Sequence, residues 1–220
     1  RTAGAWANTL RVETCNTAAG YSETAKTTTS TTMVINHAVV PLTSATGFSV
    51  GDIIYLQETN GQRYRLTGVN SGTGVLTLVR YPDSVATGLT NIVASAVKID
   101  RYWRYYEQFD RAPGTSTFVS DRGGADDELH IIILDEDSGI TGVAGEVLEK
   151  YEAVSKASDA LTDNGTANYY ADVLYDRSEF IYWMDHPAAA SNWGQAALNR
   201  TFDVPTNILA GGSMAGGIGG

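Results

Sequence analysis

Short apolar runs separated by polar, glycine-rich breaks make up most of the chain, and the clearest pattern begins at Leu129. The apolar run Leu129–Leu134 is typical of a strand that is buried on both faces. An acidic, glycine-rich turn follows it. Apolar side chains then recur at helical spacing, at Val143, Val147, Leu148, Tyr151 and Val154. The pattern predicts a strand, a turn and an amphipathic helix over residues 143–157.

The segments around this pattern predict further mixed structure. A second helix is predicted after Thr166, with one face that carries Tyr170, Val173, Leu174 and Arg177. Phe180–Met184 then predicts a second buried strand. Strands connected through helices pair in parallel by a right-handed crossover, so we expect a parallel sheet here. Near the start of the chain, Leu10, Val12 and Thr14 alternate with polar residues, and this alternation predicts a further strand.

Residues 33–97 follow a different, β-type pattern. Gly, Asn, Asp and Ser separate five short runs, which are MVINHAVV, DIIYLQE, RYRLTGV, VLTLVRY and NIVASAV. Asn60-Gly61 predicts a hairpin between the second and third runs, and Asn70–Gly74 predicts another between the third and fourth. Strands this short with tight turns favour a small barrel or sandwich. The Thr-rich residues 16–32 before them indicate a linker or an exposed loop.

Together these patterns predict the fold class and the domain organisation. The fold is a mixed α/β core with an inserted small all-β domain. The core consists of residues 1–30 and 99–220, and the insert consists of residues 31–98. The chain opens without Met and stops within a glycine-rich tract, so we expect it to be an internal piece of a longer protein with material missing at both ends.

Charge and cysteine content exclude several classes of partner. The formal net charge is -10, and a chain this acidic is poorly suited to phosphate backbones and anionic membranes. We therefore expect neither nucleic acid nor membrane among its partners. Cys15 is the only cysteine in the sequence, which makes an internal disulfide impossible and favours a structural thiol in a reducing compartment such as a bacterial cytoplasm.

A candidate nucleotide site lies in the turn after the apolar strand. Gly139–Gly145 (GITGVAG) stands between a predicted strand and a predicted helix, where a dinucleotide-binding loop belongs. Its spacing is G-x-x-G-x-x-G, however, and not G-x-G-x-x-G. The preceding acids Asp135–Asp137 would repel a pyrophosphate. The glycines are better explained by a tight turn and close packing of the helix on the sheet.

The acidic start of the same turn suggests a calcium site. Asp135 and Asp137 match the first and third positions of an EF-hand loop, but Ile140 stands at the sixth position, where glycine is required. We therefore predict a solvated acidic turn in which Asp135 and Asp137 contact water and bind no metal tightly.

No other group of residues predicts catalysis or metal binding. The segment GGSMA (211–215) has Ala215 where a nucleophile elbow requires glycine. The aromatic cluster RYWRYYEQF (101–109) favours a core or interface role over base stacking. The three histidines are far apart and form no ligand motif: His37, His130 and His186, with His130 predicted to be half-buried. We expect no catalytic residues, no cofactor-binding residues and no metal ligands.

Three stretches resemble the contractile tail sheath proteins of myovirus-type bacteriophages. AGAWANTLRVET (3–14) is similar to the family's Gly, Trp-or-Gly, Asn and strand pattern. Residues 109–160 resemble its Pro-Thr-Ser-type loop (in APGTSTF), its buried strand ending in acid and Gly (in HIIILDEDSG), and its Gly-then-Leu-Glu helix (in GEVLEKYEAV). NGTANYYADVLYDRSEFIYW (164–183) resembles its helix with Tyr-Tyr and its Arg-Ser turn into a strand. The order and spacing of the three stretches make the set specific.

This resemblance implies a structural function. Family members polymerise around a tail tube and contract to drive it through the host envelope, and their terminal arms add strands to the sheets of neighbours. For this chain it implies an α/β sheath core, no enzymatic activity and no cofactor. It also implies location in the virion tail sheath after assembly in the host cytoplasm. The implied partners are identical subunits in a helical homo-oligomer, the tail tube protein, the baseplate and the tail terminator.

Two alternatives stay open. The β insert departs from the common sheath core, so the chain is alternatively part of another virion structural protein whose insert binds a host surface receptor or glycan. An exposed aromatic cleft on residues 31–98 would favour that reading. The second alternative is an enzyme with an α/β nucleotide fold, which nucleotide binding at Gly139–Gly145 would favour.

Overall fold

The computed structural model is mostly β-structure. It describes residues 8–83, 85–186 and 190–203, and the backbone of residues 212–213. In chain order its elements are β1 (Leu10–Cys15), α1 (Ala18–Tyr21), β2 (Ser22–Thr28), β3 (Val39–Pro41), β4 (Ile53–Tyr55), β5 (Arg63–Asn70), β6 (Val75–Tyr81), β7 (Lys98–Tyr102), a 3-10 turn (Tyr106–Gln108), α2 (Thr117–Ser120), β8 (Glu128–Asp135), β9 (Glu146–Ser155), α3 (Tyr170–Arg177) and β10 (Gly212–Ser213).

The chain divides into two compact units. The first unit comprises Arg1–Ala18 and Phe109–Gly220, and the second comprises Ala19–Gln108. The second unit extends beyond both ends of the predicted insert, residues 31–98, because it includes β2 and all of β7. Within the described part of the chain, no helix is long and apolar enough to cross a membrane.

The first unit contains a four-stranded sheet with the strand order β10-β1-β8-β9. All of its pairings are antiparallel. Along the β1–β8 pair, Leu10 lies opposite Asp135 and Cys15 lies opposite His130. The predicted parallel sheet is therefore wrong, because β8 and β9 follow each other through a turn and form a hairpin, which pairs antiparallel.

The predicted helix over residues 143–157 is instead strand β9, and two β-bulges explain the error. Between the pairs Leu129–Val154 and Ile131–Tyr151, β9 advances three residues while β8 advances two. A second shift of the same kind lies nearer the turn. Each extra residue stretches the two-residue period of a strand, so inward-facing side chains recur at spacings of three and four. The sequence pattern of β9 therefore imitates that of a helix.

The helix and the strand predicted further along this unit have different outcomes. The helix predicted after Thr166 is confirmed as α3, whose buried residues include Tyr170, Val173 and Leu174. The strand predicted at Phe180–Met184 is wrong, since these residues follow α3 as irregular chain and Met184 is 87% exposed. With one helix of eight residues and two of four, the described structure is mostly β and not evenly mixed.

Strand β8 is the centre of the first unit. All eight of its residues are buried. Ile131 and Ile133 belong to one apolar cluster with Tyr151 and residues of α3. The predicted deep burial of Ile131 and Ile133 is confirmed, and Tyr151 is also buried, whereas Val147 is only half-buried near the turn end of β9.

The second unit is a six-stranded antiparallel barrel. Its strand order is β2-β7-β4-β5-β6-β3. A bridge between Thr29 and Leu42 joins the chain beyond β2 to the chain beyond β3, and so closes the sheet on itself. Closure removes exposed strand edges and encloses an apolar core. Of the two architectures predicted for the insert, the barrel is the one observed.

Local signals in the barrel are confirmed more often than its boundaries. The first four predicted runs contain β3 to β6, and both predicted hairpins form, with Tyr55 opposite Arg63 and Asn70 opposite Val75. The fifth run, NIVASAV, contributes an isolated bridge, and β7 begins after it. The predicted linker, residues 16–32, holds β2, whose Thr-rich sequence favours a strand but offers no apolar alternation.

We predict that Ile131→Ala lowers the free energy of unfolding of the first unit by about 2–5 kcal/mol, because it leaves a cavity inside a strand that is buried on both faces. Urea denaturation followed by tryptophan fluorescence measures this change. The matched control is Ile140→Ala at the partly exposed turn, for which a cost below about 1 kcal/mol is expected. Equal costs for the two variants would show that β8 is not central to stability.

Candidate functional site

The turn between β8 and β9 contains the acidic and glycine motifs of the sequence. Asp135 is buried at the end of β8, whereas Asp137 is exposed. One carboxylate oxygen of Asp135, Oδ2, accepts hydrogen bonds from the backbone N–H groups of Ile140 and Thr141 at 2.9 and 2.6 Å, and from the Thr141 hydroxyl at 2.9 Å. The prediction that both acids contact solvent is therefore wrong for Asp135.

The charge of Asp135 is stabilised by the turn itself. Burial alone would raise the pKa of Asp135, but hydrogen bonds from Thr141, Ile140 and Gly139 outweigh that effect and lower the pKa. Asp135 therefore acts as a structural anion that fixes the turn. Among the residues that the structure describes, no group of three His, Cys, Asp or Glu side chains is placed to hold a metal ion.

The glycine segment Gly139–Gly145 belongs to a hairpin and does not precede a helix. A dinucleotide loop requires a helix N-terminus at this point, so the described residues lack the geometry of the nucleotide-enzyme alternative. Gly142 and Gly145 have φ angles of 82° and 81°, which favour glycine. At Gly139, a Cβ atom would lie 2.5 Å from Cγ2 of Thr9. The glycines serve turn geometry and close packing.

Two of the histidines lie in unrelated surroundings. His37 is exposed on the barrel. His130 is fully buried, which corrects the predicted half-burial, and its Nε2 donates to the carbonyl of Arg111 at 2.7 Å while its Nδ1 accepts from the N–H of Ala153 at 3.0 Å. Burial lowers the pKa of His130. Because Nδ1 accepts a hydrogen bond, the ring is neutral; it also stacks on Phe109 with 4.4 Å between the ring centroids, so His130 is a structural side chain.

The third histidine, His186, lies in an aromatic cluster beside α3. The indole N–H of Trp183 donates to the hydroxyl of Tyr170 at 2.9 Å, and that hydroxyl lies 2.7 Å from Nδ1 of His186. At Gly194, a Cβ atom would lie 2.4 Å from Nε2 of His186, so only glycine fits there. These contacts pack α3 against the chain that follows it. Of the GGSMA segment, only the backbone of β10 is within the described residues.

A buried cation lies where β1, β8 and β9 come together. Lys156 is fully buried, and its Nζ donates to the carbonyls of Asp126 and Asn16 at 2.7 and 3.3 Å. Nζ also lies 5.2 Å from the ring centroid of Trp193. Burial lowers the pKa of Lys156 to about 8, although nearby acids partly oppose the shift. Cys15 is buried in the same unit, in keeping with the predicted structural thiol.

A polar cleft of about 470 Å³ opens on the first unit. Arg111 forms a bidentate ion pair with the buried Glu128, with both N–O distances at 2.5 Å. The backbone N–H of Gly114 also donates to Glu128 at 3.0 Å. Glu152 and Asp163 add two further carboxylates to the lining. The cleft carries excess negative charge, and its charged pair is satisfied internally.

The aromatic stretch after β7 forms a half-exposed cluster on the barrel. Trp103 is buried, as a core role predicts, whereas Tyr102 and Tyr106 are half-buried. The guanidinium of Arg63 lies 5.1 and 5.6 Å from their ring centroids and donates to the Tyr106 hydroxyl. The hydroxyl groups of Tyr106 and Tyr81 each donate a hydrogen bond to the carboxylate of Glu107. This cluster borders a cleft of about 380 Å³.

Sequence reasoning did not identify the centre of this cluster. Arg63, Tyr81 and Glu107 are far apart along the chain and belong to no motif. Arg63 lies directly opposite Tyr81 in the β5–β6 pair, and the 3-10 turn brings Glu107 to them. The nearest usable signal was the Asn60-Gly61 hairpin, which borders the same cleft.

Comparison of the chain with models of protein families, with curated proteins and with solved structures finds no match.

We predict that Asp135→Asn lowers the melting temperature at neutral pH, because the amide replaces an anion that three donors stabilise. Since the pKa of Asp135 is lowered in the folded state, its contribution is present above the pKa of an unfolded Asp and is lost as the pH falls through the folded value. The loss of melting temperature caused by the substitution should therefore shrink in acid.

Asp137→Asn, at an exposed position, is the control, and its melting temperature should change little. Differential scanning calorimetry with and without calcium makes the test. A calcium-dependent gain in stability that disappears in Asp135→Asn would reverse this assignment.

We also predict an alkaline gain in stability from Lys156. Its folded pKa of about 8 lies below the unfolded value of 10.5, so the unfolded chain binds more protons between these values and stability rises with pH there. Relative to Lys156→Met, the wild-type chain should gain about 2–3 kcal/mol of unfolding free energy between about pH 7 and pH 10.

Urea denaturation at several pH values measures this difference, and tyrosine titrations cancel because both proteins share them. Lys150→Met, at an exposed position on β9, is the control and should give a difference that does not depend on pH. A pH-independent difference for Lys156→Met would mean that the buried amine keeps an ordinary pKa.

Proposed function

We propose that this chain is part of a structural subunit of a contractile bacteriophage tail sheath, and that it acts by polymerising around a tail tube and contracting. The observation that carries the proposal is the position of the three sheath-like stretches. Residues 3–14 supply β1, residues 109–160 supply β8 and β9, and residues 164–183 supply α3. Stretches that are far apart in sequence thus supply one sheet and its covering helix. This is what a shared structural core would require of them.

The core is mostly antiparallel β-structure, so the α/β sheath core that the resemblance implies is not confirmed. The described part of the first unit contains one antiparallel sheet and a helix of eight residues against it. The Gly-then-Leu-Glu segment, expected as a helix, is strand β9. The order of the sheath-like segments along the chain is unaffected by this change of element type.

A rigid unit suits a contractile role. Contraction exchanges one packing of subunits for another, so the subunits themselves must resist deformation. In the first unit a fully buried strand crosses the centre, and the buried polar side chains of His130 and Lys156 have internal hydrogen-bond partners. Breaking one of these hydrogen bonds would be costly, because leaving a buried polar group without a partner lowers the free energy of unfolding by about 1–3 kcal/mol.

An edge strand supports the proposed mode of linkage. In the described residues β9 forms one edge of the four-stranded sheet, and its end near Ser155 is bridged on that side to Tyr169. Strand addition from a neighbour requires such an edge, and the sheath family links its subunits by strands from terminal arms. We propose identical subunits, the tail tube protein, the baseplate and the tail terminator as partners. We propose the virion tail as the location, after assembly in the host cytoplasm.

We predict that a protein containing this chain polymerises into tubes or rings, because the proposed function links identical subunits by donated strands. The net charge of -10 opposes association of free subunits, so we expect polymerisation to be strongest on a template. Negative-stain electron microscopy and light scattering measure the two outcomes.

The comparison includes purified tail tubes as a template. A protein that remains monomeric beside tail tubes would count against the sheath assignment itself.

A further inference from the structure

The barrel carries a small open cleft at one end of strands β5 and β6. The cleft has a volume of about 380 Å³, which lies in the range of small-ligand sites, and it is lined by Asn60, Gly61, Gln62, Arg63, Tyr81, Pro82 and Glu107. All of these residues belong to the second unit. Gly61 has a φ of 72°, and a Cβ atom there would meet nothing within 4 Å, so the hairpin leaves the space beside it open.

The polar groups of the cleft are held in place before any ligand arrives. Arg63 donates to the hydroxyl of Tyr106, which donates in turn to one oxygen of Glu107 at 2.7 Å. The hydroxyl of Tyr81 donates to the other oxygen. Burial and the bond to Glu107 raise the pKa of Tyr81 to about 12, so the phenol stays a donor at neutral pH. Such preorganisation lowers the entropy cost of binding.

Much of this network is still accessible to solvent. The side chains of Arg63 and Glu107 are 41% and 51% exposed, and their charged groups are 3.9 Å apart. The hydrogen bonds from Tyr81 and Tyr106 lower the pKa of Glu107, so its carboxylate is ionised at neutral pH and balances the charge of Arg63. The lining therefore offers a guanidinium and a carboxylate with little net charge. Two side-chain amides lie beside them: Asn60 donates to Thr90, and Gln62 donates to the backbone carbonyls of Arg63 and Tyr81.

We propose that this cleft binds a saccharide. A sugar carries many hydroxyl groups that both donate and accept, which fits a lining of amides, a guanidinium and a carboxylate. Its ring also has an apolar C–H face that can pack on an aromatic side chain, and Tyr81 and Pro82 supply apolar surface in the lining. The inference concerns the barrel alone and does not rest on the sheath assignment.

Other ligand classes fit this lining less well. A phosphate group needs an excess of positive charge, but Glu107 lies directly beside Arg63. An apolar ligand would remove water from the charged pair and offer it no hydrogen bond in exchange.

Saturation-transfer NMR and calorimetry on the 220-residue chain test the proposal. The probes are glucose, galactose, mannose, N-acetylglucosamine, lactose, maltose and glucuronic acid, with inorganic phosphate in parallel. We expect at least one sugar to bind with a Kd below about 10 mM, and phosphate not to compete with it. Arg63→Gln and Glu107→Gln should each weaken that sugar by about tenfold or more.

Two controls separate loss of binding from loss of folding. Lys98→Gln lies at the far end of the β7 strand that carries Tyr102, is exposed, and should leave sugar binding unchanged. The melting temperature of every variant is measured beside its binding, so that a loss of binding is counted only where the protein remains folded. The proposal is overturned if no sugar binds, if phosphate displaces the sugar, or if the Arg63 and Glu107 variants bind as the wild type does.

Discussion

The constraint on which the first unit depends is the burial of β8 from end to end. A strand with eight buried residues needs a partner on each edge and cover on each face. β1 and β9 occupy the edges, and α3 packs on the face that presents Ile131 and Ile133. The polar residues of the strand bring further requirements, since each must find a bond inside the protein. Glu128 binds Arg111, and His130 binds the backbone on both sides of its ring.

The sequence pattern predicts β8 correctly but predicts its neighbour β9 incorrectly. The run Leu129–Leu134 by itself indicates burial on both faces, because His130 is its only polar residue. β9 is different, because it pairs with β8 through two bulges, and the bulges give its apolar residues the spacing of a helix. The short-range signals of Asn60-Gly61 and Asn70–Gly74 succeeded because turn chemistry is decided by a few adjacent residues.

The sites were less predictable than the strands for the same reason. An acidic residue next to glycines suggests a solvated turn, yet the pairing of β8 with β1 and β9 directs Asp135 inward, where backbone donors surround it. The network of Arg63, Tyr81 and Glu107 depends on barrel register and on where a 3-10 turn falls. No short sequence motif predicts the barrel register or the position of the 3-10 turn. The residue type at a single position therefore does not predict a site that three separate segments form.

A subunit that works by exchanging contacts must keep its internal contacts stronger than those it exchanges. Among the buried charged groups of the first unit, Oδ2 of Asp135 accepts from backbone N–H groups and Lys156 donates to backbone carbonyls, so these charges hold the fold together and offer little to a neighbour. In the barrel, too, the buried pair of Arg101 and Asp52 is internal, while Arg63 and Glu107 are partly exposed. Under the proposed function, internal partners of this kind would let the subunit exchange its outer contacts without unfolding.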